Sequence, residues 1–582
     1  MGVEDGFRKL LPLEELKATG RESVSVDGRP LAVFYHEGAV RVVDNRCPHM
    51  GFPLTEGTVD DGVLTCHWHH ARFELSCGDT FDPWADDVAT YPVEVRDGDV
   101  FVRPTPRRDE PPADHWANRL ETGMEENLRL VVAKAVIGLH DAGVGQSETL
   151  ARGVTFGTRY RDAGWSSGLT ILAAMANVLP DLDDDDRKRA LYTGLRHVAS
   201  DCAGQPPNFD QPSFETREVD PDRLESWFRE NVEVRDSDGA ERVLRTAVET
   251  CDREQVERML YAAATDHRFL DAGHTFDFVN KAVETLDHVG WDDADDTLAS
   301  LVDSLTDAER SEELSSWRQP VDLAALVADA IDDIEALVDR ESNAGRDGRW
   351  TEPGSFQSLL LSDDPHAIVT GIREAVEAGA TPRQLAAAVA TAAATRVAQF
   401  GTGNEFSDWN TVHHTFTYAN AVHQATRRVD DPVLYRAVLD GAANVYLDRF
   451  LNTPPAPIPE PGETDRDHES ILADLVETFD EEGEVNAAGR LVGEFLDADG
   501  DPAELKRTLG HCVLREDAGF HTLQALEAGF LQFDVSDDET DRRVAMVAVA
   551  RYMAAHFPTR REAEQTFTIA SRLLRGERVH EE

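Results

Sequence analysis

Two short knuckles constrain this chain more than anything else in it: Cys47-Pro48-His49 and, after sixteen intervening residues, Cys66-His67-Trp68-His69. Each knuckle carries one thiol and one imidazole, giving Cys-x-His followed by Cys-x-x-His. Side chains of this kind act together only when two tight tips present them to a shared centre. Two chemistries use two Cys and two His. Structural zinc takes them tetrahedrally, and its usual spacing pairs the cysteines in one knuckle and the histidines in the other. A two-iron, two-sulfide cluster holds one iron with two thiolates and the other with two neutral imidazoles. The mixed make-up of each knuckle favours the cluster. Its imidazole-bound iron carries less negative charge and accepts the electron.

The flanks agree, with Leu54 and Gly57 after the first knuckle and Ala71-Arg72-Phe73 and Gly78 after the second. With these residues, the segment from about 8 to 103 resembles Rieske ferredoxin and oxygenase-type Rieske domains. The resemblance implies one [2Fe–2S] cluster per chain and a task of single-electron transfer. Cys47 and Cys66 become its thiolate ligands, and His49 and His69 hold the redox-active iron and face the docking surface. Two positions depart from the family. His67 stands where Pro is usual, and His70 where Gly is usual, which reads as a spare surface imidazole. Respiratory-complex members add one cysteine to each knuckle, and the two form a disulfide. Here Met50, Gly51 and Phe52 follow the first knuckle and Trp68 occupies the second, so that bridge is excluded. Cys77 has no partner in the segment. Fewer tuning contacts imply a potential in the lower part of a range of roughly −150 to +300 mV.

The same segment reads as short strands at 24–26, 31–35, 39–44, 63–65 and 100–102, with hairpin turns at Asp27-Gly28, Asp61-Gly62 and Asp97-Gly98. From residue 127 the texture changes to Leu, Ala, Val, Glu and Arg at helical spacing. The expected architecture is therefore multidomain: an all-β Rieske domain (1–104), a linker (105–126), and an all-α repeat region. That region divides into repeats one to three (127–453), a proline-rich linker (454–466), and a last repeat with the tail (467–582).

Charge adds a second constraint, with 111 acidic against 57 basic residues and a formal net charge of −54. The acid is spread along the chain, so it reads as adaptation to a salty, halophilic cytoplasm, where screening removes the self-repulsion. It disfavours nucleic acid, which needs a basic surface. The start of the chain lacks an apolar h-region, and no stretch reaches 18 apolar residues. The expectation is a cytoplasmic protein without a membrane partner. Four further cysteines are isolated, so no disulfide framework is implied.

An internal repeat runs through the helical part. His274-Thr275-Phe276 with Asn280 is echoed by His414-Thr415-Phe416 with Asn420, and by His521-Thr522-Leu523 with Glu527. A weaker copy leads to Ser167-Gly168-Leu169. The spacing is 107 residues from 167 to 274 and from 414 to 521, and 140 from 274 to 414. Two duplicated pairs, four helical repeats in all, produce this pattern. The motif is expected to open a helix. Phe276, Asn280 and Val283 then share a face, as do Phe416, Asn420 and His423, and a buried Asn there needs a hydrogen-bond partner. The structural reading makes His-Thr a cap and Asn a staple between repeats. The functional reading puts His274, His414 and His521 in one pocket as metal ligands, proton-transfer groups or substrate contacts. His413 adds weight to the pocket, because adjacent buried histidines are costly to satisfy. Elsewhere, Glu284 and His288 are expected as an exposed ion pair, residues 183–186 as a cap for a helix starting at Arg187, and His197 and His267 without a role.

No G-x-G-x-x-G or Walker-type loop marks a nucleotide or flavin site. The di-iron signature Glu-x-x-His occurs only at Glu577 to His580. The Asp-x-x-His-x4-His pattern of ring-hydroxylating oxygenases is absent. The helical region, over about 130–570, instead resembles questin-oxidase-like proteins, on the strength of His274-Thr275-Phe276 and His414-Thr415-Phe416. That resemblance implies an all-helical fold and oxygen-dependent, Baeyer–Villiger-type ring cleavage. The expected function is thus an iron–sulfur oxidoreductase. A separate reductase or ferredoxin supplies electrons, and the cluster relays them to a site in the helical region for a small organic substrate or oxygen. The alternative is a non-catalytic redox sensor or carrier whose repeats bind a partner protein.

Overall fold

The structure, a computed structural model, describes residues 6–107, 110–215, 219–341, 350–451, 453–498, 500–577 and 579. The first five residues and His580 of the tail motif lie outside the described residues. The chain divides into two compact units, 1–149 with 564–582, and 150–563.

Among the described residues, the first unit is built on nine strands: β1 (Arg8–Pro12), β2 (Arg21–Val26), β3 (Arg29–His36), β4 (Ala39–Asp44), β5 (Thr58–Asp60), β6 (Val63–Thr65), β7 (Arg72–Glu74), β8 (Val93–Arg96) and β9 (Asp99–Val102). They form three antiparallel three-stranded sheets ordered β1-β9-β8, β2-β3-β4 and β5-β6-β7. The three expected turns join β2–β3, β5–β6 and β8–β9, with both central residues at positive φ (49° and 84° at Asp27 and Gly28). This is the turn whose twist matches the strands. Glu37-Gly38 does the same between β3 and β4, a turn that Glu conceals in the sequence. Strand β3 is apolar on both faces because it serves two cores. Ala32 and Phe34 join Val43, Leu54, Leu64, Phe73 and the ligand cysteines, while Leu31 and Val33 join Leu16, Val42, Val100 and Val102.

The span 105–126 is not a plain linker. A helix, Pro112–Glu125, starts with proline in its first turn, where the missing N–H costs nothing, and buries Ala117, Leu120 and Met124 at helical spacing. It packs against a second helix, Arg129–Asp141. Both belong to the first unit rather than to the helical region. The proline-rich stretch 454–466 carries no helix or strand among its residues, as expected. It does not separate units, and it is tied down: the Ala456 N–H donates to Gln399 (2.7 Å), and Pro457 accepts from Arg551 (2.8 Å).

The second unit is helical. Four of its helices, Ser167–Val178, His274–Val289, Phe406–Arg428 and Phe520–Val535, close into a ring in which each packs on two others. Two expectations about helix starts need correction. His274 and His521 do open their helices, but His414 lies more than two turns inside Phe406–Arg428, because Glu405 and Asp408 cap that helix further upstream. The acidic run is itself helical, with Asp183 at the cap position and Asp184 the first helical residue. Among the described residues, no helix is long and apolar enough to cross a membrane.

Candidate functional site

The two knuckles are built alike. Backbone N–H of Cys47 donates to Phe52 (2.8 Å) and Gly51 donates back to Cys47 (2.7 Å). Cys66 donates to Ala71 (2.8 Å) and His70 donates back to Cys66 (3.0 Å). Gly51 and His70 thus occupy equivalent places, and both have positive φ, 79° and 66°. The turn demands a left-handed residue, which explains the usual Gly; histidine tolerates the region at some cost. Cys47 and Cys66 are buried in the core, and the His49 and His69 rings meet edge to face with centroids 4.8 Å apart. His49 also packs on Trp84 (4.7 Å).

These residues fit a [2Fe–2S] cluster. A hydrogen bond from Cys47 draws the Cys66 thiol down to about 6, and the same bond pushes the Cys47 thiol up. Two thiols close enough to share a hydrogen bond are placed as a pair of thiolate ligands requires. Burial, reinforced by His69 and Lys134, holds the His49 imidazole down at about 4, the neutral form a metal requires. The His49 Nδ1 is buried without a partner, an unmet demand that an iron atom satisfies. The thiol end is enclosed and His69 is exposed, so the imidazole end is where an electron can enter.

A group of converging histidines lies in the helical unit. His274, His414 and His521 offer ligand nitrogens that all lie within 4.8 Å of one another, with His414 Nε2 and His521 Nε2 2.9 Å apart. Burial first, then repulsion among neighbouring imidazoles, brings all three down to about 4. Each is half-buried, so the group is reachable. His413 lies against His521 (5.2 Å) and Tyr552 (4.9 Å), fully buried with neither ring nitrogen partnered. His556 stacks on Tyr552 (4.4 Å) and its Nδ1–H donates to the Tyr552 carbonyl (2.7 Å). Nothing in the sequence pointed to His556, which ends the helix Glu539–His556.

His274 is positioned by a strained turn. Phe269, Asp271 and Ala272 have φ of 43°, 48° and 54°. Asp271 Oδ1 accepts from Glu309 N–H (2.7 Å), and Ser311 Oγ donates to the Phe269 carbonyl (2.8 Å). Such backbone persists only where its surroundings hold it.

Beneath the imidazoles the ring is polar. One turn below His274 and His521, buried Asp277 accepts from Gln524. Deeper, Lys281 Nζ sits between Glu284 (2.8 Å) and Glu527 (2.6 Å), and Asn177 donates to both carboxylates. Asn280 donates to Glu284 (2.9 Å) and accepts from Arg428 (2.7 Å). Asn420 accepts from Gln532 (2.7 Å). Both buried Asn side chains thus find hydrogen-bond partners on other helices. The expected exposed pair does not form: Glu284 is buried in this network, and His288 bonds Asn177 Oδ1 instead (2.7 Å). His267 is clamped between Glu233 and Glu312, 2.6 Å from each.

Comparison with known proteins bears on the first unit. The Rieske [2Fe-2S] domain family matches residues 7–92. The ferredoxin subunit of the 3-phenylpropionate/cinnamic acid dioxygenase of Photorhabdus laumondii subsp. laumondii is 34% identical over 92 residues, 16% of this chain and 87% of that protein. The ferredoxin component of the naphthalene 1,2-dioxygenase/salicylate 5-hydroxylase systems of Ralstonia sp. is 28% identical over 81 residues, 14% of this chain and 78% of that protein. Among solved structures, the ferredoxin of carbazole 1,9a-dioxygenase from Nocardioides aromaticivorans is matched over its whole length and 17% of this chain, with 24% identity and a TM-score of 0.17.

Proposed function

Since this chain belongs to the Rieske [2Fe-2S] family through its N-terminal domain, we propose that it is an oxidoreductase whose helical unit holds a second, mononuclear metal site on His274, His414 and His521. The cluster, when bound, supplies one-electron chemistry at an imidazole-held iron. The chain's own residues supply the rest. Cys47 and Cys66 anchor the enclosed end, while His49 and His69 present the accessible end to a separate one-electron donor, a reductase or ferredoxin.

The observation that carries the reading for the helical unit is the convergence of three neutral, half-buried imidazoles from three helices of one ring. Three protein ligands with open positions are the pattern of catalytic rather than structural sites, and imidazole suits Zn, Cu, Fe and Ni. The buried polar layer below keeps the imidazole-bearing helices in register. Oxygen-dependent oxidation is the class that the resemblance of His274-Thr275-Phe276 and His414-Thr415-Phe416 to questin-oxidase-like proteins implies. The test is substitution of each of the three histidines by alanine. Loss of bound metal and of substrate-dependent electron consumption, with the cluster's visible spectrum intact, supports the proposal. Unchanged metal content and turnover in all three variants leaves the chain as an electron carrier or sensor.

A further inference from the structure

We propose that Lys134 tunes the reduction potential of the cluster as a fixed, buried positive charge, delivered by a helix outside the matched Rieske segment. The matched residues end at 92, yet the helix Arg129–Asp141 reaches the first knuckle. Lys134 Nζ donates to the Pro48 carbonyl (2.6 Å) and the His49 carbonyl (3.4 Å), and pairs with Asp86 Oδ2 (3.0 Å). Its side chain is 2% exposed.

The neighbouring helix, Pro112–Glu125, contributes Arg119, whose Nε lies 2.9 Å from Asp86 Oδ1 and whose guanidinium also donates to Pro83 (2.7 Å) and Ala85 (3.1 Å). Burial pushes the Asp86 carboxyl up, but Lys134 and Arg119 outweigh it and hold Asp86 ionised. Two cations and one anion leave a net charge of +1 against the knuckle that carries His49. The same clamp fixes the 83–86 loop whose Trp84 packs on the His49 ring. The chain has only six lysines, and a buried ammonium is costly to desolvate unless paired. Lys134 meets that cost by pairing with Asp86 at 3.0 Å inside the core.

With a cluster held by Cys47, Cys66, His49 and His69, one electron from an external one-electron donor would add one negative charge at the imidazole-held end, with no bond made or broken. A cation fixed in a low-dielectric interior favours that state more than it would in water. The three-residue clamp therefore raises the potential above what the ligand set alone sets, and Lys134 acts as a positioning residue through the knuckle backbone.

The test is a redox titration of the full-length protein, followed by visible and EPR spectra that report cluster loading separately from potential. Lys134→Met should lower the equilibrium constant for reduction about tenfold, which is about 59 mV for a one-electron couple. Asp86→Asn should shift it by a similar factor in the opposite direction, and Lys134→Arg should stay close to the parent. A merely structural clamp moves both variants the same way or moves neither, and either result overturns the proposal. Where Lys134→Met fails to take up a cluster, Asp86→Asn decides alone: a raised potential supports the proposal, and an unchanged or lowered one ends it. Failure of both variants to load assigns the clamp to folding only. Absence of any [2Fe–2S] spectrum in the parent protein contradicts the cluster assignment itself, a separate failure.

Discussion

The knuckles of the first unit and the histidine group of the second are two solutions to one problem: bringing imidazoles together and aiming them. In the knuckles the solution is local. Ligands only 22 positions apart in the chain, from Cys47 to His69, are set by paired turns that repeat one hydrogen-bond pattern. In the helical unit it is global. Residues 274, 414 and 521 meet because three helices of a ring bring them to one end, and a buried ionic layer beneath holds the helices in register. Local geometry makes a site robust to changes elsewhere. The ring makes its site hostage to packing far from the imidazoles.

That contrast breaks most sharply at the ligands. Cys66→Ser should remove the cluster entirely, seen as loss of its visible absorption, while leaving metal bound by the helical unit. Alanine at His274, His414 or His521 should do the converse and weaken metal binding in an equilibrium titration. The loss should exceed the roughly 10–100-fold that follows when only an outer partner is lost. A variant of either group that empties both centres contradicts their independence.

Next in size is the ionic layer. Lys281→Met leaves Glu284 and Glu527 as facing buried carboxylates without their shared cation. It should cost about 3–5 kcal/mol in chemical denaturation, the cost of breaking a buried pair. The knuckles rest on a separate ionic clamp, Lys134 and Arg119 with Asp86, so an equal loss of cluster is not expected.

Asp277 gives the pH dependence. Burial, against the pull of Lys281 and Gln524, raises its carboxyl from the usual carboxylate range to about 7. Between about pH 4 and 7 the folded state therefore holds a proton that the unfolded state has released, and stability falls as pH rises through that window. Asp277→Asn should flatten the fall and raise the stability at pH 8 by on the order of a few kcal/mol, read as a higher melting temperature, with little change at pH 4. A steeper fall in the variant contradicts the assignment.

The smallest effect belongs to His70. With φ of 66° in a place where Gly51 serves the other knuckle, His70→Gly should relieve about 1 kcal/mol of left-handed strain with the cluster spectrum unchanged. A loss of stability would show the imidazole to be a needed contact.

How much could be read from the sequence follows the same divide. Ligands packed into one short segment announce themselves through spacing, and alternating strands with Asp-Gly turns were legible around them. Glu37-Gly38 was not, because Glu is a poor marker of a left-handed turn. In the helical unit the repeated His-Thr-Phe exposed His274 and His414, and its variant His-Thr-Leu exposed His521; it marked the helix starts at His274 and His521 but not that of the helix carrying His414. His414 sits deep in its helix because the cap at Glu405 lies upstream of the motif. His556 left no trace, being a lone histidine in a last turn. The span 105–126 was misread because prolines mark a helix start as readily as a break. Lys134 did leave a signal, a single cation inside the buried run from Val131 to Leu139, whose partner Asp86 only the fold reveals. Glu284 was misjudged for the same reason: pairing at i and i+4 says nothing about what closes over it.

The most direct measurement is metal content and EPR of purified Cys66→Ser protein beside the parent. The parent should carry the two irons of the cluster and one further metal ion. The variant should lose the cluster signal and keep that further ion, which then disappears when His414→Ala is added. A variant with no bound metal at all, or one whose residual metal ignores the His414 substitution, would contradict a second metal centre in the helical unit.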